Sequence, residues 1–222
     1  MPLIEIAPPP EPALLAAILP RLPGCQWAVF VSPSAVRMGL AAVREHLEVF
    51  PEAVRLAAVG EGSAKPLREA LGRPVLIPFE AADSEGLLAC PDLQALAGQH
   101  VMLFRGLGGR TLIADTLTAR GATVLHAVCY ERRRLMPEAA SLLASRTDSG
   151  PAAISVTSTE ILDQLVQVLG DSGSAWLQTT PLFVPHPRIA AAAQAYGVRD
   201  VRLIEPGDAG LIAALSGPSP EN

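Results

Sequence analysis

The chain has 222 residues, of which 50% are hydrophobic and 18% charged, and this composition excludes a disordered protein in favour of one large or two small globular domains. Its formal net charge of -5 excludes a general attraction to nucleic acid, so anion binding must come from local arginines and helix N-termini.

The predicted elements alternate between strands and helices. Residues 1–12 contain a proline cluster and are expected to form an extended lead-in or linker without a folded element. Strands are expected at residues 27–31, 55–59, 75–77, 101–104 and 123–128, and helices at residues 14–19, 35–47, 64–71, 83–97 and from 112 up to Gly121. Short connections between alternating strands and helices are typical of a parallel, doubly wound sheet.

The second half of the chain resembles the first. Residues 28–34 (AVFVSPS) align with residues 153–159 (AISVTST), although apolar strands in any α/β protein produce part of such a match. We therefore predict two similar doubly wound domains, residues 13–134 and residues 135–222, that face each other across a cleft. Small molecules commonly bind in clefts of this kind.

Helix-opening turns at the carboxyl ends of the predicted strands are the expected ligand sites. Ser32, Ser34 and Ser158 lie in such turns. Their hydroxyls suit helix capping, and uncommitted N–H groups at the same helix ends suit carboxylate or phosphate, so the two roles are compatible.

A glycine-rich turn follows the strand at residues 101–104. Gly106, Gly108 and Gly109 do not form the GxGxxG pattern, which argues against a dinucleotide site. Arg105 and Arg110 flank the turn, and this placement fits either an anionic ligand or a solvated surface loop.

Tyr130 follows the next predicted strand, where a side chain either packs at an interface or meets a ligand. Cys129 beside it has no neighbouring base that would support a nucleophile, and the odd number of cysteines argues against a disulfide framework. The histidines have no metal-ligand spacing, so neither metal nor cofactor is expected. A catalyst of this kind would hold an anionic substrate in one conformation and assist a leaving group by hydrogen bonding.

Eight motifs across the chain resemble those of the uroporphyrinogen-III synthase family. They are PLIEI at the N-terminus, FVSPSAV (30–36), AVGEGSAKPL (58–67), DSEGLL (83–88), FRGLGGR (104–110), CYERR (129–133), VTSTEIL (156–162) and VPHPRIAAAA (184–193). The resemblance implies a cofactor-free enzyme that closes linear hydroxymethylbilane to uroporphyrinogen III, with loss of water and inversion of the last pyrrole ring.

The resemblance also implies site residues. Tyr130 matches the family tyrosine that assists departure of the substrate hydroxyl, and Ser63 stands where many members have threonine. The expected substrate-binding residues are Ser32, Ser34, Ser63, Arg105, Gly106, Gly108, Gly109, Ser158, His186 and Arg188. The implied partners are the small-molecule substrate and hydroxymethylbilane synthase, which would hand the substrate over. The unpaired cysteine pattern and the lack of a signal segment or a long apolar run predict a cytoplasmic protein without membrane partners, and the net charge of -5 argues against nucleic acid. We expect a monomer.

The N-terminus departs from the family pattern, in which an extra strand and helix precede the PLIEI segment. The second domain of this chain is therefore expected to lack its usual N-terminal strand and helix. Either the start at Met1 is truncated or misassigned, which is the alternative we favour, or the domain itself lacks a central strand. Two other functions remain open: a non-catalytic, two-lobed tetrapyrrole-binding or regulatory module, and a nucleotide-dependent transferase that uses the glycine turn.

Overall fold

The structure is a computed structural model, and it describes residues 3–79, 81–144 and 153–216. The chain divides into two compact units. The six-stranded unit is Ile6–Arg133, and the three-stranded unit consists of Met1–Glu5 and Arg134–Asn222. The α/β class and the parallel sheets expected from the sequence are confirmed.

The larger sheet has the strand order β1-β6-β5-β2-β3-β4. Its strands are β1 (Ile4–Ala7), β2 (Trp27–Phe30), β3 (Arg55–Ala58), β4 (Val75–Leu76), β5 (His100–Gly106) and β6 (Thr123–Arg134). The pairings of β2 with β3 and β5, of β3 with β4 and of β5 with β6 are all parallel. The helices of this unit are α1 (Pro12–Ile18), α2 (Pro33–Leu47), α3 (Glu61–Leu71), α4 (Ser84–Ala89) and α5 (Leu112–Ala119).

Alternation along the buried strands supplies both faces of this sheet with a hydrophobic core. In β2, Ala28 and Phe30 pack on the face covered by α1, α2 and α3, while Trp27 and Val29 pack on the face covered by α4 and α5. Successive side chains of a strand point to opposite faces, so one apolar run fills two cores. The first predicted domain is therefore doubly wound.

Three details of the prediction are wrong. The lead-in at residues 1–12 contains β1, which pairs beside β6, and α1 begins at Pro12. The predicted helix at residues 83–97 stops at Ala89 and is followed by a 3-10 turn at Pro91–Leu93, because proline lacks the N–H that helix continuation needs. The strand predicted at residues 123–128 continues to Arg134.

The three-stranded unit contains β7 (Ile154–Ser155), β8 (Leu182–Val184) and β9 (Val201–Leu203), paired in parallel in that order. Its helices are α6 (Ala139–Ala144), α7 (Thr159–Thr179), α8 (Pro187–Ala195) and α9 (Asp208–Ser216). Leu162, Leu182 and Val184 lie in its core, together with Leu3 from the N-terminal segment. Among the described residues, no helix combines the length and apolarity that crossing a membrane requires.

Candidate functional site

A hydrogen bond joins two side chains at the carboxyl edge of the six-stranded sheet. The Tyr130 hydroxyl lies 3.0 Å from Oγ of Ser32, and either group is able to donate. Ser32 follows β2 and caps α2, where its Oγ accepts the N–H of Ala35 at 3.0 Å. The serine therefore links the tyrosine to the positive end of a long helix.

One of the two possible donor arrangements leaves the tyrosine proton unused within the pair. A serine hydroxyl has two acceptor sites and one donor, so Ser32 is able to accept from Ala35 and donate to the Tyr130 oxygen at the same time. In that arrangement the tyrosine proton remains free for a third group. Negative charge that develops on the tyrosine oxygen meets a hydroxyl donor and a helix N-terminus.

Gly106 and a register shift set the position of the Tyr130 ring. The pairing of β5 with β6 shifts by one residue after Arg105, so that Gly106 lies opposite Tyr130. A Cβ on Gly106 would lie 2.6 Å from Cζ of the tyrosine, and the ring is 4% exposed. The ring thus rests directly on the glycine backbone, which leaves it little freedom to move.

Ser63 lies near the start of α3 and is 2% exposed. Within the described ranges its hydroxyl has no hydrogen-bond partner. The helix is capped by Gly60, which has no side chain to accept the first N–H groups. Gly60 is not among the site residues predicted from the sequence, although a glycine that opens a helix two residues after a strand is a visible signal. Ser34, in the first turn of α2, is half-buried.

The arginines of the glycine turn are engaged with the protein. Arg105 donates through Nε to the carbonyl of Gly106 at 3.3 Å and through Nη2 to the carbonyl of Gly108. Gly108 and Gly109 adopt left-handed backbone angles, with φ of 71° and 81°, which turn the chain toward the Arg105 side chain. Arg110 pairs with the Glu85 carboxylate. The turn therefore presents its glycine backbone more openly than its guanidinium groups.

Two site residues predicted in the three-stranded unit open helices at one sheet edge. Ser158 follows β7 and accepts the N–H of Ile161 at 3.2 Å, while His186 follows β8 and accepts the N–H of Arg188 through Nδ1 at 3.1 Å. Because β7 and β8 are parallel neighbours, the two caps lie at the same carboxyl edge. In the described part of the chain, no three side chains form a group suited to a metal ion.

Cys129 is held as a neutral thiol. Burial raises its pKa to about 12, and its Sγ donates to the carbonyl of Arg105 at 3.3 Å. A thiol with such a pKa is protonated throughout the neutral range and is a poor nucleophile.

We expect native Cys129 to resist alkylation by iodoacetamide at pH 8. A thiol with a pKa of about 12 has a thiolate fraction on the order of 1000-fold below that of an ordinary cysteine at this pH. Mass spectrometry of the labelled protein measures the modification, and the unfolded chain in urea is the control. Modification of Cys129 at equal rates in the native and unfolded chains would contradict the assignment.

The chain is similar to known proteins over most of its length. Residues 1–213 match the family model described as uroporphyrinogen-III synthase HemD. The uroporphyrinogen-III synthases of Escherichia coli (strain K12) and Salmonella typhimurium are each 32% identical over 208 residues, which cover 93% of this chain and 85% of each relative.

Solved structures give the same picture of the fold. A mutant uroporphyrinogen III synthase from the extremely thermophilic bacterium Thermus thermophilus matches with a TM-score of 0.59 at 19% identity, covering 96% of this chain and 87% of that one. The uroporphyrinogen-III synthetase from Helicobacter pylori matches with a TM-score of 0.56 at 16% identity, covering 96% and 90%.

Proposed function

The chain belongs to the uroporphyrinogen-III synthase family, and from that premise we propose that Tyr130 and Ser32 form the centre at which its reaction begins. The enzyme closes linear hydroxymethylbilane to uroporphyrinogen III, with loss of water and inversion of the last pyrrole ring. The proposed centre rests on the partly buried hydrogen bond between the Tyr130 hydroxyl and Ser32 Oγ.

The first step is the departure of the substrate hydroxyl. The C–O bond breaks, its electron pair stays on the oxygen, and a proton from Tyr130 completes the water molecule. The electron-rich pyrrole stabilises the positive methylene carbon that remains. The Ser32 hydroxyl and the N-terminus of α2 stabilise the tyrosinate, because Ser32 lies within hydrogen-bonding distance of the tyrosine oxygen and is able to donate to it.

The second step joins that methylene carbon to the last pyrrole ring. The new carbon–carbon bond forms at the α-carbon of that ring which already carries the neighbouring methylene bridge. The bond from this α-carbon to the bridge then breaks, and the bridge carbon, stabilised as a cation by the third pyrrole, bonds to the other α-carbon of the last ring. That carbon loses its proton, so the ring ends inverted and aromatic. The tyrosinate is the base that takes a proton back, so the enzyme ends in its starting state. Inversion depends on holding the flexible chain in one conformation, a positioning task that needs no bound cofactor.

Binding is assigned to helix N-termini and backbone amides, because the substrate carries acetate and propionate carboxylates on every ring. In the six-stranded unit, the open start of α3 with the unbonded Ser63 hydroxyl favours this role. Ser34 and the backbone of Gly106, Gly108 and Gly109 are assigned to the same edge, and Arg105 orders the turn that carries these glycines. In the three-stranded unit, the assigned groups are Ser158, His186 and Arg188.

The cellular setting completes the proposal. We assign the protein to the cytoplasm as a monomer that takes hydroxymethylbilane from hydroxymethylbilane synthase. Direct handover would limit spontaneous closure of this reactive substrate to the type I isomer.

We expect Ser32→Ala to lower kcat about threefold to tenfold, the equivalent of roughly one hydrogen bond, and to lower stability by about 1 kcal/mol through the lost cap. Asp83→Ala is the matched control, because Asp83 caps α4 through the N–H of Gly86 and has no hydrogen bond to Tyr130. Steady-state kinetics and thermal melts measure both variants. If Ser32→Ala loses stability but keeps the wild-type kcat, the serine is only a cap.

The activity is tested by adding hydroxymethylbilane to the purified chain, oxidising the products and separating the type I and type III isomers. An excess of type III over the spontaneous type I background is the expected result. Type I alone, from a protein that circular dichroism reports as folded, would refute turnover and favour a non-catalytic binding module.

A further inference from the structure

A cavity lies at the amino end of the six-stranded sheet. Its volume is about 420 Å³. The lining residues include Trp27, Arg55 and Val75, which are the first residues of the parallel strands β2, β3 and β4. The proposed reaction centre follows the opposite, carboxyl ends of the strands. The cavity is within the size range of small-molecule sites and is separate from that centre.

Arg55 presents an oriented guanidinium to this cavity. Its Cζ lies 4.0 Å from the centroid of the buried Trp27 indole, and its side chain is 51% exposed. Arg55 forms a long, exposed ion pair with Asp92, whose Oδ1 lies 3.9 Å from Nη1 and so beyond hydrogen-bonding distance. Across the described residues, no acceptor takes a hydrogen bond from this guanidinium. Stacking fixes the plane of the group and leaves its N–H edges open.

Arg73 adds a second positive charge. Its Nη1 donates to the carbonyls of Pro51 and Glu52 at 3.0 and 2.6 Å, and its Nη2 donates to the carbonyl of Val54 at 3.1 Å. These acceptors are neutral, and no carboxylate in the described ranges forms an ion pair with Arg73. A guanidinium has five N–H donors, so two remain after these three bonds.

The remaining walls decide the class of ligand. Val54, Leu56, Val75 and Leu76 are apolar, which favours a hydrophobic body. Glu52 also lines the cavity, and its negative charge disfavours a ligand with several carboxylates. A planar aromatic group suits a cavity whose walls are apolar strand residues and the stacked guanidinium of Arg55.

We propose that this cavity is a second ligand site, which binds a small aromatic monocarboxylate with its carboxylate on Arg55 and Arg73 and its ring on the apolar wall. The site is independent of the synthase reaction, since no residue of the cavity belongs to the proposed centre. Its test is therefore a binding measurement rather than an assay of turnover.

The test is a titration of the full ¹⁵N-labelled chain with 2-naphthoate, followed by NMR at the two tryptophan indole N–H signals. Trp27 lines the cavity, and Trp176 lies in the three-stranded unit as an internal reference. We expect a saturable shift of the Trp27 signal and a constant Trp176 signal. The uncharged isostere 2-naphthamide should bind about tenfold or more weakly, because it lacks the charge-assisted bonds.

Arg55→Gln should weaken 2-naphthoate binding about tenfold or more, whereas Arg44→Gln, which removes an exposed charge on α2, should bind as the wild type does. A Trp27 signal that does not saturate would overturn the proposal. Equal binding of naphthoate and naphthamide, unchanged affinity in Arg55→Gln, or a parallel shift of Trp176 would also overturn it.

Discussion

We expect Tyr130→Phe to lower kcat for uroporphyrinogen III formation about 100-fold, the usual scale for loss of one positioned proton donor. KM should stay within about twofold, because the hydroxyl acts on the leaving group rather than on the substrate carboxylates. The ring remains in its buried position against Gly106, so the fold should persist with a stability loss of about 1 kcal/mol for the missing hydrogen bond to Ser32. Steady-state kinetics and a thermal melt measure these quantities.

The chain supplies a matched control, because Tyr196 is its other tyrosine. The Tyr196 hydroxyl donates to Oδ1 of Asp163 at 2.9 Å in the three-stranded unit, and the side chain is exposed. Tyr196→Phe also deletes one phenolic hydroxyl, and it should turn over at the wild-type rate. Wild-type turnover in Tyr130→Phe would return Tyr130 to a packing role and remove the proposed proton donor.

Gly106→Ala should be nearly as damaging, with a roughly 10- to 100-fold loss of kcat expected from misplacement of the donor. The new Cβ would lie 2.6 Å from Cζ, 2.7 Å from Cε2 and 3.1 Å from the hydroxyl oxygen of Tyr130. The ring must move, and the hydrogen bond to Ser32 is then lost or distorted. Crowding against the buried tyrosine ring should also cost about 1–3 kcal/mol of stability.

A double-mutant cycle separates misplacement of the tyrosine from general damage. In the Tyr130→Phe background, Gly106→Ala should cause little further loss of kcat, because the group that it displaces is already inactive. Gly24→Ala is the control, since a Cβ there has no neighbour within 4 Å. If the fold-loss of kcat in the double variant equals the product of the two single losses, Gly106 affects kcat independently of the Tyr130 hydroxyl.

The core of the larger sheet follows from the sequence because its signal is local. The runs at β2 and β5 are apolar and bounded by turns, and alternation assigns Met102 and Phe104 to one core and Val101 and Leu103 to the other. The place of β1 beside β6 depends on a partner more than 110 residues away along the chain, and local periodicity carries no such information.

The candidate site was predictable residue by residue but not as a group. The helix-opening turn identified Ser32 as a candidate, and the family resemblance raised Tyr130 from a packing residue to a site residue. Their hydrogen bond spans 98 residues and depends on the register shift after Arg105. Arg105 was interpreted as a possible grip for an anion, and its guanidinium instead bonds to carbonyls of its own turn. The hydrogen bond from Arg105 to the carbonyl of Gly108 depends on the left-handed backbone angles of Gly108 and Gly109, and composition alone does not specify those angles.

The central claim is that the Tyr130 hydroxyl acts in the chemical step. A single-turnover experiment tests it most directly: excess enzyme is mixed rapidly with hydroxymethylbilane, and the type III and type I products are quantified over time. Product release does not limit this rate. We predict that Tyr130→Phe forms uroporphyrinogen III about 100-fold more slowly than the wild type, with spontaneous type I product increasing in its place. Equal single-turnover rates for the two proteins would contradict the account.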